Sequence, residues 1–84
     1  NAMARRLHDA VVQVPGVEIT QPVQANGVFA RLPEQAIPKL QEAYPFYEWD
    51  AARHEVRWMC SWDTTEDDVD SFARLVADVV PASR

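Results

Sequence analysis

Few residues of this chain have side chains suited to chemistry, and one arginine stands out among them. Arg57 lies in the middle of the most regular apolar–polar alternation in the sequence, between Val56 and Trp58. A charged side chain at such a place must reach water or an anion, because burying it unpaired is costly. Its planar guanidinium fits a carboxylate through parallel hydrogen bonds. The residues alone leave two interpretations open, an ordinary surface or ion-paired arginine and an anion-binding one. Arg31 raises the same question more weakly.

The other reactive residue types favour structural roles. Cys60 is the only cysteine and cannot form an internal disulfide. It lies in an apolar segment without a neighbouring histidine, which predicts a buried thiol rather than a nucleophile. His8 and His54 lack metal-ligand spacing, so we expect no metal site, and we expect His54 to be a solvated turn residue. Lys39, the only lysine, falls in a polar stretch and is expected to be solvated rather than to hold a cofactor.

Two clusters also favour a structural interpretation over a ligand site. The acids Glu66–Asp68 open a helical segment, where carboxylates cap the helix and interact favourably with its dipole. The tryptophans Trp49, Trp58 and Trp62 suit a ligand-stacking surface, but packing in the core is the interpretation we favour.

Composition limits the kind of protein this chain is. With 84 residues, 48% of them hydrophobic and 25% charged, residues 1–84 are expected to fold as a single domain. The net charge of −5, without a cluster of basic residues, argues against a nucleic-acid partner. No apolar run approaches the roughly 20 residues of a membrane span, so we expect a cytoplasmic protein without a membrane partner. Residues 1–2 look like a cloning remnant.

Hydrophobic periodicity and turn residues predict seven elements. In chain order they are a helix over 4–14, a strand over 17–20, a strand over 28–32, a helix over 33–44, a strand over 46–49, a strand over 55–62 and a helix from Thr64 or Thr65 to Val80. Pro38 requires the middle helix either to kink or to start late, and Pro81 is expected to end the last helix. This order predicts an α+β fold, a small antiparallel sheet with helices packed against it.

The predicted elements divide into buried and exposed faces. The apolar stripe of the first helix is Leu7, Ala10, Val11 and Val14, and that of the last helix is Val69, Phe72, Ala73, Val76 and Val80. The strongest strand is expected to bury Val56, Trp58, Cys60 and Trp62 and to turn Glu55, Arg57, Met59 and Ser61 the other way.

Two runs carry a family resemblance. Residues 25–33 read ANGVFARLP, and residues 55–69 read EVRWMCSWDTTEDDV, a strand leading into a capped acidic helix. Residues 4–80 resemble the C-terminal small domain of pyridoxal-phosphate-dependent threonine aldolases and the related aromatic amino acid β-eliminating lyases. The two runs carry the sharpest part of this resemblance.

The resemblance implies a function that the chain does not hold alone. The family cleaves β-hydroxy-α-amino acids such as threonine into glycine and an aldehyde, and its fold resembles the C-terminal domain of fold-type I pyridoxal-phosphate enzymes. At the position of Arg57 the family has the arginine that binds the substrate α-carboxylate. The cofactor lysine belongs to a large domain that this sequence lacks, so we expect no cofactor in this chain, no catalysis by it alone and self-association into a homo-oligomer. The alternative is a stand-alone binding or oligomerisation module.

Overall fold

A computed structural model describes residues 2–23, 26–61 and 63–83 of the chain. The α-helices within these ranges are α1 (Ala2–Val11), α2 (Ala36–Ala43) and α3 (Glu66–Ala82). The β-strands are β1 (Glu18–Ile19), β2 (Gly27–Arg31), β3 (Tyr47–Asp50) and β4 (Glu55–Met59). The predicted α+β fold and the predicted order of elements are confirmed.

The strands form one antiparallel sheet in the order β1-β2-β4-β3, so β4 is an interior strand. Val28 pairs with Trp58 and Ala30 with Val56, and all four side chains are buried. The residues between them face the other way, and there Phe29 pairs with Arg57. Because side chains alternate along a strand, this register separates a buried sheet face from an outward one.

The helices cover the buried sheet face. Phe72 of α3 packs edge-on against Trp58, with ring centroids 5.1 Å apart, and Leu40 of α2 and Val11 of α1 are fully buried in the same cluster. The predicted stripe of α3 is buried at every position, Val69, Phe72, Ala73, Val76 and Val80. This single apolar layer between helices and sheet is the hydrophobic core of the described residues.

The last helix begins as predicted and ends later than predicted. The Thr65 hydroxyl accepts from the Asp68 backbone N–H at 3.1 Å, and the Asp68 carboxylate accepts from the Thr65 N–H at 3.0 Å, a complete capping box. The helix runs through Pro81 to Ala82, so the prediction that Pro81 ends it is wrong. A proline in the last turn removes one hydrogen bond, and the Ser83 hydroxyl donates to the Val79 carbonyl at 2.8 Å to complete the helix end.

The first two helices also correct the predicted boundaries. Helix α1 ends at Val11 rather than Val14, because Pro15 disfavours helical backbone at the residue before it. Ala10 is exposed and does not belong to the buried stripe, which consists of Ala4, Leu7 and Val11. Helix α2 starts late, and Pro38 occupies its first turn, where a backbone N–H has no acceptor within the helix.

One ion pair links the two ends of the chain across the helix layer. Arg6 of α1 donates from Nε and Nη2 to the two carboxylate oxygens of Asp70 in α3, both at 2.9 Å. These hydrogen bonds lower the pKa of the Asp70 carboxyl from its ordinary value and raise that of Arg6. Neither helix, nor any other in the described part of the chain, is long and apolar enough to cross a bilayer.

Candidate functional site

Arg57 lies on the outward face of the sheet. It pairs with Phe29 of β2 on one side and with Tyr47 of β3 on the other, at the middle of the interior strand. None of the described helices packs on this face, since their apolar sides join the core cluster on the other side of the sheet. The strand predicted to turn Arg57 away from the core does so. Arg57 is half-buried, and its guanidinium is flanked by aromatic side chains.

The closest of these aromatic groups is Trp49 of β3. The guanidinium carbon of Arg57 lies 4.6 Å from the centroid of the Trp49 ring, a cation–π contact. Such a contact contributes about 0.5–1 kcal/mol at an exposed site and about 2 kcal/mol when it is desolvated. The pairing of β3 with β4 is irregular between Glu48 and Asp50, which makes Trp49 the extra residue of a β-bulge. The edge of Phe29 meets the Trp49 ring at 5.3 Å and 79° and so braces it.

The hydrogen-bonding groups of Arg57 are left unused by the described residues. Its Nε is enclosed and has no acceptor, and no described carboxylate forms an ion pair with its guanidinium. The acid on the same strand face, Glu55, is 7% exposed and accepts from the Thr20 hydroxyl at 2.5 Å instead. Glu55 was predicted to be one of the outward-facing residues, and its burial was not foreseen. The site therefore presents a fixed positive charge that the described part of the chain does not neutralise.

Arg31 does not share this property. Its Nη1 donates to Glu18 of β1 at 3.2 Å, and its Nε donates to the Arg53 carbonyl at 3.0 Å. The positive charge of Arg31 is therefore paired with the carboxylate of Glu18 in the same chain. This arrangement decides the open question about Arg31 in favour of a structural ion pair.

The remaining candidates are structural or differ from expectation. Cys60 is buried, as predicted, and burial raises the pKa of its thiol, which disfavours the reactive thiolate. His54 lies in the turn between β3 and β4, as predicted, and takes the left-handed conformation (φ 57°); it is half-buried, with its Nδ1 enclosed. The acids Glu66–Asp68 are exposed in the first turn of α3, and Asp68 completes the capping box there.

The three tryptophans do not share one environment. Trp58 is 3% exposed and belongs to the core, whereas Trp49 is 51% exposed on the outward face, so the core interpretation is wrong for Trp49. Trp62, predicted to be in the core, lies outside the described residues, as does Ala25 of the first family run. The alternation of Tyr47, Glu48 and Trp49 was the signal that could have assigned Trp49, because a hairpin partner of Arg57 shares its face. The bulge that sets its contact was not visible in the sequence.

Lys39 and Arg57 do not lie on the same side of the sheet. Lys39, the only lysine, is exposed on α2 in the helix layer, on the other side of the sheet from Arg57. A cofactor held by Lys39 would therefore be remote from a ligand held by Arg57. In the ranges that the structure describes, no three His, Cys, Asp or Glu side chains gather in a way that suits a metal ion.

The fold and the site define a small α+β domain that presents one unneutralised arginine between aromatic side chains on an uncovered sheet face. Over 83 residues, 98% of the chain, it is 42% identical to a low specificity L-threonine aldolase of Pseudomonas aeruginosa. It is 39% identical over the same length to a low specificity L-threonine aldolase of a Pseudomonas species. The chain spans 24% of the length of each relative. Family profiles give no match. The chain is thus related to a part of the low-specificity threonine aldolases, and the resemblance predicted from its two motif runs is confirmed.

Proposed function

We propose that this chain is the C-terminal domain of a threonine-aldolase-type lyase and that Arg57 binds the α-carboxylate of the amino-acid substrate. The observation that carries the proposal is the state of Arg57, a half-buried arginine that no described carboxylate neutralises. Identity of 39–42% to two threonine aldolases over almost the whole chain supports the assignment of the reaction class. The parent enzyme would be cytoplasmic, and pyridoxal phosphate would supply the electron sink for cleavage.

The contribution of Arg57 to such a reaction is binding and orientation. A guanidinium fork holds a carboxylate in a fixed plane, which restricts the rotation of the amino acid about its α-carbon. The Trp49 ring lies against the guanidinium, so an anion would approach Arg57 from directions that the ring does not occupy. The carboxylate would thereby be fixed while the groups that break the carbon–carbon bond act from elsewhere in the enzyme.

The same geometry supports the proposal that the chain is not catalytic alone. Lys39 and Arg57 lie on opposite sides of the sheet, so these residues do not assemble a cofactor beside a bound substrate. Incubation of the 84-residue chain with pyridoxal phosphate and L-threonine should release no acetaldehyde above the rate given by the cofactor alone. Release that depends on the chain and is lost in Lys39→Ala would contradict this part of the proposal.

A chimaera tests the proposed function directly. The homologous quarter of the Pseudomonas aeruginosa enzyme is replaced by this chain, and cleavage of L-threonine is measured. We expect activity, and we expect Arg57→Lys to raise KM for L-threonine roughly tenfold to a hundredfold, since a hydrogen-bonded charge pair contributes about 1.5–3 kcal/mol. Arg31→Lys is the matched control, because Arg31 pairs with Glu18, and it should leave KM within about threefold. Equal effects of the two changes would refute the assignment of Arg57.

Self-association is the second candidate, and the outward sheet face favours it. Tyr47 and Trp49 on the neighbouring strand β3 are 77% and 51% exposed, and Met59 on the strand of Arg57 is 52% exposed. Exposed apolar side chains that adjoin one another are commonly covered by a partner, and a two-fold dimer uses one surface for both copies. Sedimentation equilibrium from micromolar to millimolar concentration tests this. A dimer that Tyr47→Ser dissociates supports it, and a constant monomer mass excludes it.

A further inference from the structure

Trp49 has three features that a side chain exposed only by chance would not combine. It is the extra residue of a bulge in an edge strand, the centroid of its ring lies 4.6 Å from the guanidinium carbon of Arg57, and it meets the Phe29 ring at nearly a right angle with the centroids 5.3 Å apart. Bulges redirect a side chain from its regular position. Here the redirected side chain is the one that contacts the candidate ligand-binding group.

Arg57 needs such a contact, because hydrogen bonds do not hold it. Its enclosed Nε has no acceptor among the described residues. A long side chain without a polar partner ordinarily samples many rotamers. It loses conformational entropy when a bound ligand restricts it to one of them. The contact with Trp49 favours positions of the guanidinium over the ring, with its carbon 4.6 Å from the ring centroid.

We propose that Trp49 is a positioning residue for the Arg57 site: its ring restrains the guanidinium, so that Arg57 is already held in place when a carboxylate binds. Phe29 of β2 adds a second contact to the ring, because it reaches Trp49 across the strand that carries Arg57. The part of this inference that concerns a carboxylate rests on the proposed function; the part that concerns the order of Arg57 does not. Preorganisation of this kind lowers the entropy cost of binding without adding a contact to the ligand.

The neighbouring Tyr47 provides a matched control. It lies on the same strand and face, pairs with Arg57 in the sheet register and is 77% exposed, yet no ring contact with Arg57 is found for it among the described residues. A change at Tyr47 removes a comparable aromatic surface beside the site but leaves the contact between Trp49 and Arg57 in place. Trp49→Phe keeps an aromatic face, and Trp49→Leu removes it.

The experiment uses arginine-labelled 84-residue chain in two NMR measurements. The first is the 15N–1H heteronuclear NOE of the Arg57 Nε–Hε group without ligand, assigned from Arg57→Lys. The second is a titration with glycine, and separately with sodium acetate, against sodium chloride at equal ionic strength. Far-UV circular dichroism checks that each variant is folded, and Trp49→Met replaces Trp49→Leu if the latter is not.

We expect Trp49→Leu to lower the NOE of Arg57 and to weaken glycine and acetate binding roughly twofold to thirtyfold, the range of a lost cation–π contact. Trp49→Phe should keep most of the NOE and most of the affinity for glycine and acetate. Tyr47→Leu should change neither the NOE nor the affinity. An unchanged NOE in Trp49→Leu, or an equal loss in Tyr47→Leu, overturns the positioning role. If the unmodified chain binds neither glycine nor acetate, the carboxylate site of the proposed function fails, while the NOE comparison still decides the role of Trp49.

Discussion

Replacement of Trp58 by alanine should unfold or nearly unfold this chain, whereas replacement of the adjacent Arg57 should be mild. Trp58 is 3% exposed and meets two rings edge-on, Phe72 at 5.1 Å and Phe46 at 6.2 Å. Truncation of a buried aromatic side chain to alanine costs about 3–5 kcal/mol, and each ring pair adds about 0.5–1.5 kcal/mol to what the buried area contributes. We therefore expect a loss near the upper end, against a total of about 4–13 kcal/mol for a domain of this length.

Arg57→Ala should change the free energy of unfolding much less than Trp58→Ala. It removes the contact with Trp49 but also removes an enclosed N–H that lacks an acceptor, and these effects oppose each other. We expect a net loss below about 1 kcal/mol. Trp58→Phe should fall between the two alanine variants, because it keeps a ring in the core and removes the enclosed, unpaired indole N–H.

Urea unfolding followed by far-UV circular dichroism measures these differences without relying on tryptophan fluorescence. With a slope of about 1–3 kcal/mol per molar urea, Trp58→Ala should lower the midpoint by more than about 1 M or leave no folded baseline. Arg57→Ala should keep a folded baseline. Equal losses for Trp58→Ala and Arg57→Ala would refute the assignment of the two strand faces, and with it the position of the candidate site.

Three further outcomes are expected. Thr65→Ala should cost about 1 kcal/mol in urea unfolding by breaking the capping box of α3, while Ser71→Ala on the exposed side of the same helix should cost little. The hydrogen bonds from Arg6 lower the pKa of Asp70, so this pair stabilises the fold above the ordinary aspartate pKa, and the stabilisation is lost as pH falls through the lowered value. The difference in urea midpoint between the unmodified chain and Asp70→Asn should therefore be present at pH 7 and vanish in strong acid; a difference that persists there would contradict it. Burial raises the pKa of the Cys60 thiol, so a disulfide reagent should modify the folded chain far more slowly than the urea-unfolded chain, and equal rates would show that Cys60 is accessible.

The sequence predicted most of the fold because its periodic segments are strongly patterned. The alternation around Val56 and Trp58 and the helical stripe of Val69 to Val80 each admit one buried face, and both were assigned correctly. The ends of the helices were harder to predict, because the effect of a proline on a helix end depends on where in the last turn it lies. Pro81 is tolerated in the last turn, whereas Pro15 ends α1 several residues before it.

The site was only partly predictable. The direction of Arg57 followed from its place in the strand pattern, whereas the role proposed for it came from the family resemblance. Its contact with Trp49 depends on a bulge, which shifts pairing without a distinctive residue type at the shift. The burial of Glu55 depends on Thr20, a residue 35 positions earlier, and periodicity within one segment carries no information about such a partner.

The two faces of β4 are geometrically linked, and this has a consequence for the site. Val56 and Trp58 can both be buried only if Arg57, the residue between them, points outward, and a one-residue slip would reverse all three. The core on one side of the strand therefore fixes the direction of the arginine on the other. Trp49 can then act on a side chain whose backbone is already held, and it needs to fix only the rotation of the guanidinium. Under the proposed role of Trp49, stability and ligand orientation depend on different side chains, Trp58 for the first and Trp49 for the second, although the sheet joins them.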